Sequence, residues 1–252
     1  MSEVLRPEIL FLLLVAPCVG SFLGVLVERL PAGRSIVWDR STCSHCGRRL
    51  ALRDLVPLLG WLANRGRCRN CGAHSGAFYP AIELLALLIA AWSLAAVPGW
   101  AVWATCVLGW VLLSLAIVDW RHLLLPDPLT LPLIPAGIMV AWALAPERWA
   151  DHVIGAVVGF AFVALIAVLY RRFRGRHGIG LGDGKLFAAA GAWVGWQGLP
   201  SVLLLAAFAG LAGALVQARL AGGLDPEREL PFGLYLAGAL WLVWLYGPLG
   251  LG

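Results

Sequence analysis

Four cysteines form the most specific chemical pattern in the sequence. They come as two Cys-x-x-Cys pairs separated by 21 residues, and a glycine follows each pair. Each pair can direct two thiolates at one metal ion, and the glycine lets the chain turn back. The pattern therefore predicts a tetrahedral zinc site whose ligands are Cys43, Cys46, Cys68 and Cys71.

Carboxylates within or beside apolar segments are the second candidate group, because charge is costly to place in a membrane. The candidates are Glu28, Glu83, Asp119, Asp127 and Asp183. Asp119 ends an apolar segment, and Asp183 lies among glycines at 178, 180, 182 and 184. Glycines would let an extended peptide backbone approach Asp183. Two aspartates that meet can share a proton, so that one activates water while the other protonates or polarises a scissile carbonyl.

Each carboxylate also has a simpler interpretation. Asp119 could be a polar residue at a water-facing helix end, and Asp183 could be a helix N-cap. Asp127 precedes a proline and is assigned to capping the helix that begins there. Glu28 and Glu83 are interpreted as boundary residues paired with nearby arginines.

The composition predicts an all-α membrane protein. Hydrophobic residues make up 61% of the 252 residues and charged residues 13%, about half the charged share of a soluble domain. Uncharged runs cover residues 9–27, 84–118, 128–146, 153–170, 186–218 and 230–252. A span needs about 20 apolar residues, so the two longest runs should each contain two spans, divided at turn signals at 98–99 and 198–200. About eight transmembrane helices are therefore expected.

The basic residues predict the orientation. If residues 29–80 face the cytosol, 17 of the 19 Lys and Arg residues do so too, and only Arg6 and Arg148 lie outside. The positive-inside rule therefore places both termini outside. The predicted domains are a first transmembrane helix (1–28), a small cytoplasmic zinc-binding loop (29–80) and a seven-helix membrane domain (81–252). The net charge of +5 is assigned to this topology and to contact with anionic lipid, and no nucleic-acid partner is expected.

This topology bears on the cysteines. Disulfides are the alternative to zinc, but they are rare in a reducing cytosol. His45 and His74 neighbour the cysteines, yet four thiolates already complete a tetrahedral site. For so small a loop, zinc would supply much of the folding free energy.

Nearly end to end, the order of motifs resembles that of the bacterial type IV prepilin peptidases, which are GxGD aspartic proteases. The similar segments are GSFLGVLVERLP from Gly20, the paired Cys-x-x-Cys loop, YPAIELL from Tyr79, VD at 118–119, LPDPLTLPL from Leu125, GLGDGKL from Gly180 and PFGLYLAGA from Pro231.

The resemblance implies a multifunctional enzyme of the bacterial inner membrane. It would cleave the leader from type IV prepilins, or from pseudopilins of type II secretion, at the cytoplasmic face. The family's catalytic aspartates match Asp119 and Asp183, and its zinc ligands match the four cysteines. Members with the cysteine loop also N-methylate the new amino terminus with S-adenosylmethionine. The residues of that methyl-donor site are not assigned.

Two positions depart from the family pattern and leave alternatives open. Gly24 stands where many relatives have asparagine, and Gly184 stands where a larger, often aromatic residue follows the GxGD aspartate. A peptidase without methyltransferase activity is therefore one alternative. A transporter is another, although it should place carboxylates near the bilayer midplane. The nine arginines of the loop would also suit a membrane-tethered zinc ribbon that binds nucleic acid.

Helix polarity predicts which aspartate is the general base. Asp183 precedes a helix N-terminus, whose positive end favours the ionised form, whereas Asp119 ends a span, where the negative end favours protonation. Asp183 is therefore the predicted base, within a pair that titrates jointly.

Overall fold

The computed structural model describes residues 7–174, 180–223 and 230–250. Helices make up their regular secondary structure apart from two isolated β-bridges, and residues 30–77 are mostly turns and irregular chain. The helices are α1 (Pro7–Arg29), α2 (Leu59–Ala63), α3 (Phe78–Ala96), α4 (Ala101–His122), α5 (Asp127–Leu144), α6 (Trp149–Arg174), α7 (Leu181–Ala221) and α8 (Phe232–Tyr246), with a 3₁₀ turn at Leu52–Asp54. Six of them are long and apolar enough to cross a membrane. The predicted all-α membrane fold is confirmed.

Large apolar side chains point outward from these helices. Leu14, Val157 and Phe208, for example, are all exposed at the middle of long apolar helices. Such a surface is unfavourable in water and favourable against lipid tails, because apolar area is costly to hydrate. The helices also satisfy their own backbone hydrogen bonds, as a spanning segment must.

The chain divides into two compact units, residues 1–110 and 111–252. In the first unit, α1 packs against α3, and the loop between them carries the cysteines. A Cβ on Gly20 would lie 2.6 Å from the Glu83 Cα, so the helices touch there only because that side chain is absent. The Trp110 indole N–H, near the middle of α4, donates to the Ala86 carbonyl of α3 at 3.0 Å and attaches the two helices to each other.

In the second unit, α7 is the central element. A Cβ on Gly155 of α6 would lie 2.5 Å from the Gly191 carbonyl oxygen, which shows how closely α6 and α7 approach. The Trp193 indole N–H donates to the Leu133 carbonyl of α5 at 2.9 Å. The Trp193 ring also meets Trp244 of α8 edge to face, with centroids 5.1 Å apart.

Helix α7 bends at Gly195, where φ is 71° and ψ is 172°, a conformation essentially restricted to glycine. Its 41 residues would measure about 62 Å as a straight helix, about twice the thickness of the hydrocarbon core. His152 of α6 braces the bend, since its Nδ1 lies 3.0 Å from the Ala192 carbonyl oxygen. The Gln197 amide, just past the bend, donates to Asp151 at 2.9 Å.

After the bend, the second half of α7 (196–221) runs antiparallel to α8. Gly210, in its later part, lies against Tyr235 near the start of α8. Ser201, in its earlier part, accepts the Leu249 N–H beyond the end of α8 at 3.0 Å. The two halves of α7, together with α1, α3 to α6 and α8, make eight apolar helical segments. The break predicted at 198–200 is wrong by a few residues, because the chain turns at Gly195.

Candidate functional site

Asp119 lies in the last turn of α4 and is only 5% exposed. Its Oδ2 accepts the backbone N–H of Leu234 at 2.9 Å, and the Gly233 N–H also bonds to the carboxylate. Both N–H groups belong to the first turn of α8, where helix N–H groups have no partner within the helix. The N-terminus of α8 therefore holds the buried carboxylate by its backbone.

Gly233 provides the space for this contact. A Cβ at this position would lie 3.0 Å from the Asp119 Cγ and 3.0 Å from the Leu125 Cδ1. Any side chain larger than hydrogen would therefore press on Asp119. This explains in physical terms why the α8 segment contains glycine at this point.

Asp183 is the third residue of α7 and is partly exposed. Gly180 is the N-cap residue and α7 has no side-chain cap, so the alternative in which Asp183 is an N-cap is wrong. A Cβ on Gly180 would meet no atom closer than 3.8 Å, which leaves open space beside the carboxylate. That space suits the approach of an extended backbone. Gly178, predicted to contribute as well, lies outside the described residues.

The structure brings the two aspartates together although they are 64 positions apart. Leu125 connects their surroundings: it lies against Gly233 beside Asp119, and its Cβ would be 3.1 Å from a Cβ on Gly182 beside Asp183. The two carboxyl groups also interact electrostatically. One partly exposed and one buried carboxyl group therefore share a single site in the second unit.

The other three carboxylates have different partners from those predicted. Asp127 begins α5 as expected but makes no cap hydrogen bond; its carboxylate pairs with Lys185 at 2.6 Å. Glu28 accepts the Tyr79 hydroxyl at 2.7 Å. Glu83 accepts the Leu58 backbone N–H at 2.7 Å. The arginine pairing expected for Glu28 and Glu83 is wrong in the described residues, because backbone and tyrosine donors are closer.

The four cysteine sulfurs form one cluster in the first unit. All four lie within 4.8 Å of one another, and Cys43 Sγ is 3.9 Å from Cys71 Sγ. Four sulfurs at the corners of a zinc site, each about 2.3 Å from the metal, would be about 3.8 Å apart. The cysteines are free thiols, and the donor set fits a tetrahedral metal ion.

The same backbone pattern builds both halves of the cluster. In the first knuckle (42–49) the Cys43 N–H donates to Arg48 O, and the Gly47 N–H donates to Cys43 O. The second knuckle (67–74) repeats both bonds 25 residues later, from Cys68 and from Gly72. The glycines have φ of 67° and 71°, a conformation that lets each turn close. The structure thus places two equivalent turns face to face.

Asn70 and Arg48 link the two knuckles, and sequence reasoning missed both. The Arg48 guanidinium donates to the Asn70 amide oxygen, and the Asn70 NH₂ group donates to Cys46 Sγ at 3.7 Å. The Arg48 backbone N–H, followed by the Asn70 amide, lowers the pKa of Cys46 to about 6. The thiolate form, which is the metal-binding form, is therefore favoured there.

The chain is similar to known proteins over most of its length. The bacterial peptidase A24 N-terminal domain family matches residues 14–97, and the type IV leader peptidase family matches residues 106–215. A prepilin leader peptidase/N-methyltransferase of Aeromonas hydrophila is 38% identical over 91% of this chain and 87% of that protein. Proteins of the same name from Burkholderia pseudomallei (strain 1026b) and Dickeya chrysanthemi are 40% and 38% identical, over 91% and 94% of this chain and 82% and 93% of their own. No solved structure matches the chain.

Proposed function

Because this chain belongs to the type IV leader peptidase family, we propose that it cleaves the leader from prepilins with Asp119 and Asp183 and then methylates the new amino terminus. The observation that carries the catalytic assignment is the shared site of the two aspartates, described above from Leu125, Gly182 and Gly233. The protein is a multi-pass protein of the bacterial inner membrane, and its substrates are prepilins; pseudopilins of type II secretion are included in the proposal.

The geometry suits hydrolysis by a pair of carboxyl groups. The substrate's cleavage site approaches from the open side of Gly180, next to the partly exposed Asp183. One aspartate takes a proton from water, and the other donates a hydrogen bond or proton to the scissile carbonyl oxygen. Asp119 is only 5% exposed, so bulk water reaches the pair from the side of the partly exposed Asp183.

Asp183 as the general base stays a prediction. Its place in the first turn of α7 agrees with the helix-polarity argument. Asp119, however, accepts two N–H bonds from the first turn of α8, a stabilisation of its ionised form that the sequence argument did not include. The position of Asp183 favours Asp183 as the base, whereas the two N–H bonds favour an ionised Asp119. Single substitutions of Asp119 and of Asp183 decide between these assignments.

The four cysteines are proposed to bind one structural zinc ion in a cytoplasmic loop of residues 29–80. Four thiolates saturate a tetrahedral ion, so such an ion leaves no position for substrate and its contribution is to fold the loop. The methyl donor is proposed to be S-adenosylmethionine, which supplies an electrophilic methyl group on a positively charged sulfur.

The proposed function is tested by incubating the purified protein with a prepilin, with and without S-adenosylmethionine, and weighing the product. We expect loss of the leader in both reactions and the added mass of one methyl group only with the donor. Asp119→Asn and Asp183→Asn should each lower cleavage by at least about 10³-fold, as loss of a group that acts in a catalytic unit does. Asp127→Asn is the matched control and should cleave normally, because that carboxylate is half exposed and paired with Lys185.

Cleavage that survives both Asp119→Asn and Asp183→Asn would exclude the pair as the catalytic groups. If Asp119→Asn retained substantial cleavage while Asp183→Asn retained none, Asp183 would be assigned as the base. A product of unchanged mass in the presence of the donor would identify a peptidase without methyltransferase activity.

A further inference from the structure

The first unit contains a cavity of about 660 Å³ between the cysteine knuckles and the facing ends of α1 and α3. This volume lies within the range of small-molecule sites, about 300–1,000 Å³. The helix side of the cavity carries Glu28 and Glu83, with Arg29 at the end of α1, and the loop side carries several arginines and Asp54. Trp61 and Tyr79 also line it. The wall therefore carries groups of both charges and aromatic rings.

Glu83 is the most unusual group in this wall, since it is only 5% exposed. Its carboxylate accepts the Leu58 N–H at 2.7 Å and a bond from Ser21. No lysine, arginine or histidine of the described residues forms an ion pair with it. A buried carboxylate without a cationic partner is unfavourable as an ion, so Glu83 either holds a proton or is positioned to meet a positive charge from a ligand.

The backbone that meets Glu83 is strained. Leu58 has φ 58° and ψ −52°, and the Leu59 N–H bonds to the Pro57 carbonyl at 2.6 Å. These values describe a γ-turn with positive φ, which is rare and costly for a side chain as large as leucine. The bond from the Leu58 N–H to Glu83 holds this turn against the cavity. Strain of this kind concentrates at ligand sites.

Glu28 is oriented in the same wall by Tyr79. The Tyr79 hydroxyl donates to Glu28 at 2.7 Å, and the Tyr79 ring lies over Gly24, where a Cβ would be 2.8 Å from the ring. Gly24 therefore leaves the space that the ring occupies. Glu28 is exposed, and no ion pair joins it to a basic side chain of the described residues.

We propose that this cavity is the methyl-donor site, in which Glu83 recognises the positively charged sulfonium of S-adenosylmethionine and Glu28, oriented by Tyr79, recognises its amino group. The arginines of the loop side suit the donor's carboxylate, and the aromatic rings suit its adenine. A lipid phosphate would use the arginines alone and leave Glu83 without a partner. The proposal rests on the proposed methyltransferase function and names the site of that activity.

The test measures binding rather than activity. Labelled S-adenosylmethionine and S-adenosylhomocysteine are titrated separately against the purified full-length protein in detergent. The two ligands differ in the charge on sulfur, so their affinity ratio reports the carboxylate–sulfonium contact. Glu83→Gln keeps an oxygen that accepts the Leu58 N–H but removes the charge. Glu147→Gln, an exposed glutamate in the other unit, is the matched control.

We expect Glu83→Gln to weaken binding of S-adenosylmethionine about tenfold, the effect of losing one charged contact, and binding of S-adenosylhomocysteine less than threefold. Tyr79→Phe should weaken binding of S-adenosylmethionine several-fold, because Glu28 loses its orienting bond. The control should bind both ligands as the unchanged protein does. Bound zinc and prepilin cleavage report that each variant is folded.

Unchanged binding in folded Glu83→Gln and Tyr79→Phe overturns the proposal, and so does an equal loss of both ligands in Glu83→Gln. If Glu83→Gln loses zinc, Tyr79→Phe decides alone. If the unchanged protein cleaves prepilin but neither binds S-adenosylmethionine nor transfers its methyl group, the proposed methyltransferase function is wrong. If the unchanged protein transfers the methyl group and both variants bind the donor normally, only the proposed site is wrong.

Discussion

At the scale of single residues, the catalytic proposal depends on how little space surrounds Asp119. Gly233 and Leu234 bring two backbone N–H groups to its carboxylate, and Leu125 fills the gap toward Gly182. The position of Asp119 is therefore determined by atoms of α8 that are more than 110 positions later in the chain. Small changes in α8 should therefore reach the proposed catalytic carboxylate directly.

Gly233→Ala is the change that tests this dependence. Its Cβ would lie 3.0 Å from the Asp119 Cγ, so the carboxylate must move, and a shift of about 1 Å in a catalytic group can cost about 10²-fold in rate. We expect prepilin cleavage to fall by about that factor while S-adenosylmethionine binding stays the same. Gly238→Ala in the same helix is the control, because a Cβ there meets no atom within 4 Å. Equal cleavage by the two variants would contradict this role of Gly233.

The residue types of this site could be predicted from the sequence, but their supporting contacts could not. Asp119 and Asp183 were identifiable because carboxylates at the ends of apolar segments are rare. The bonds from Gly233 and Leu234 are made by backbone N–H groups, which every residue except proline carries, so no residue type marks them. For the same reason the Leu58 contact with Glu83 had no sequence signal, and Glu83 was assigned to an arginine.

At the scale of the helices, the bend in α7 is what returns the chain to the proposed catalytic site. Asp183 begins α7, and Gly233 begins α8, yet both contribute to one site. If α7 were straight, its end would lie about 62 Å from its start beside Asp183. Residues 222–231 are too few to bring the chain back over that distance to Gly233, so α8 could not begin at the same site. The bend at Gly195 and its contacts with Asp151 and His152 are therefore part of the structure of the site.

Gly195→Ala should destabilise the second unit. A side chain at φ 71° and ψ 172° costs about 1–3 kcal/mol, and its Cβ would lie 2.8 Å from the Gln197 Oε1. We expect a lower midpoint of thermal unfolding in detergent than for the unchanged protein. Gly184→Ala, also in α7, is the control, since its Cβ would meet Val163 at an ordinary 3.5 Å. If the two variants unfolded at the same temperature, the bend would not require glycine.

The number of apolar segments was predictable, whereas the point at which the long one divides was not. Chain length and bilayer thickness alone require two segments in a 33-residue uncharged run,. Gly195, Gly198 and Pro200 are all turn signals in that run, and sequence cannot rank them. The structure bends at Gly195, where α6 supplies contacts on both sides of the bend: His152 Nδ1 lies 3.0 Å from the Ala192 carbonyl oxygen, and Asp151 accepts the Gln197 side-chain amide.

At the scale of the whole molecule, the count of segments determines which parts share a side of the membrane. Two segments, α5 and α6, separate Asp119 from Asp183, and the two halves of α7 separate Asp183 from Gly233. Even numbers return the chain to the same side each time, which agrees with the shared site. Three segments, α3 to α5, separate the cysteine loop from Glu147, so if each crosses the membrane once, these two are predicted to lie on opposite sides.

The positive-inside rule assigns those sides, and surface labelling tests the assignment. Trp38 is 86% exposed in the cysteine loop, and Glu147 is exposed between α5 and α6. In spheroplasts, a membrane-impermeant maleimide should label Glu147→Cys, whereas Trp38→Cys should be labelled only after lysis. The labelling of the unchanged protein, which has its own cysteines, is subtracted from each signal. This result would place the loop in the cytosol. Because even numbers of segments separate the loop from the aspartates, they would lie there too, on the side to which the positive-inside rule assigns 17 of the 19 basic residues,.

Labelling of Trp38→Cys alone in intact spheroplasts would reverse the orientation. Labelling of both positions would show that α3 to α5 do not cross the membrane three times.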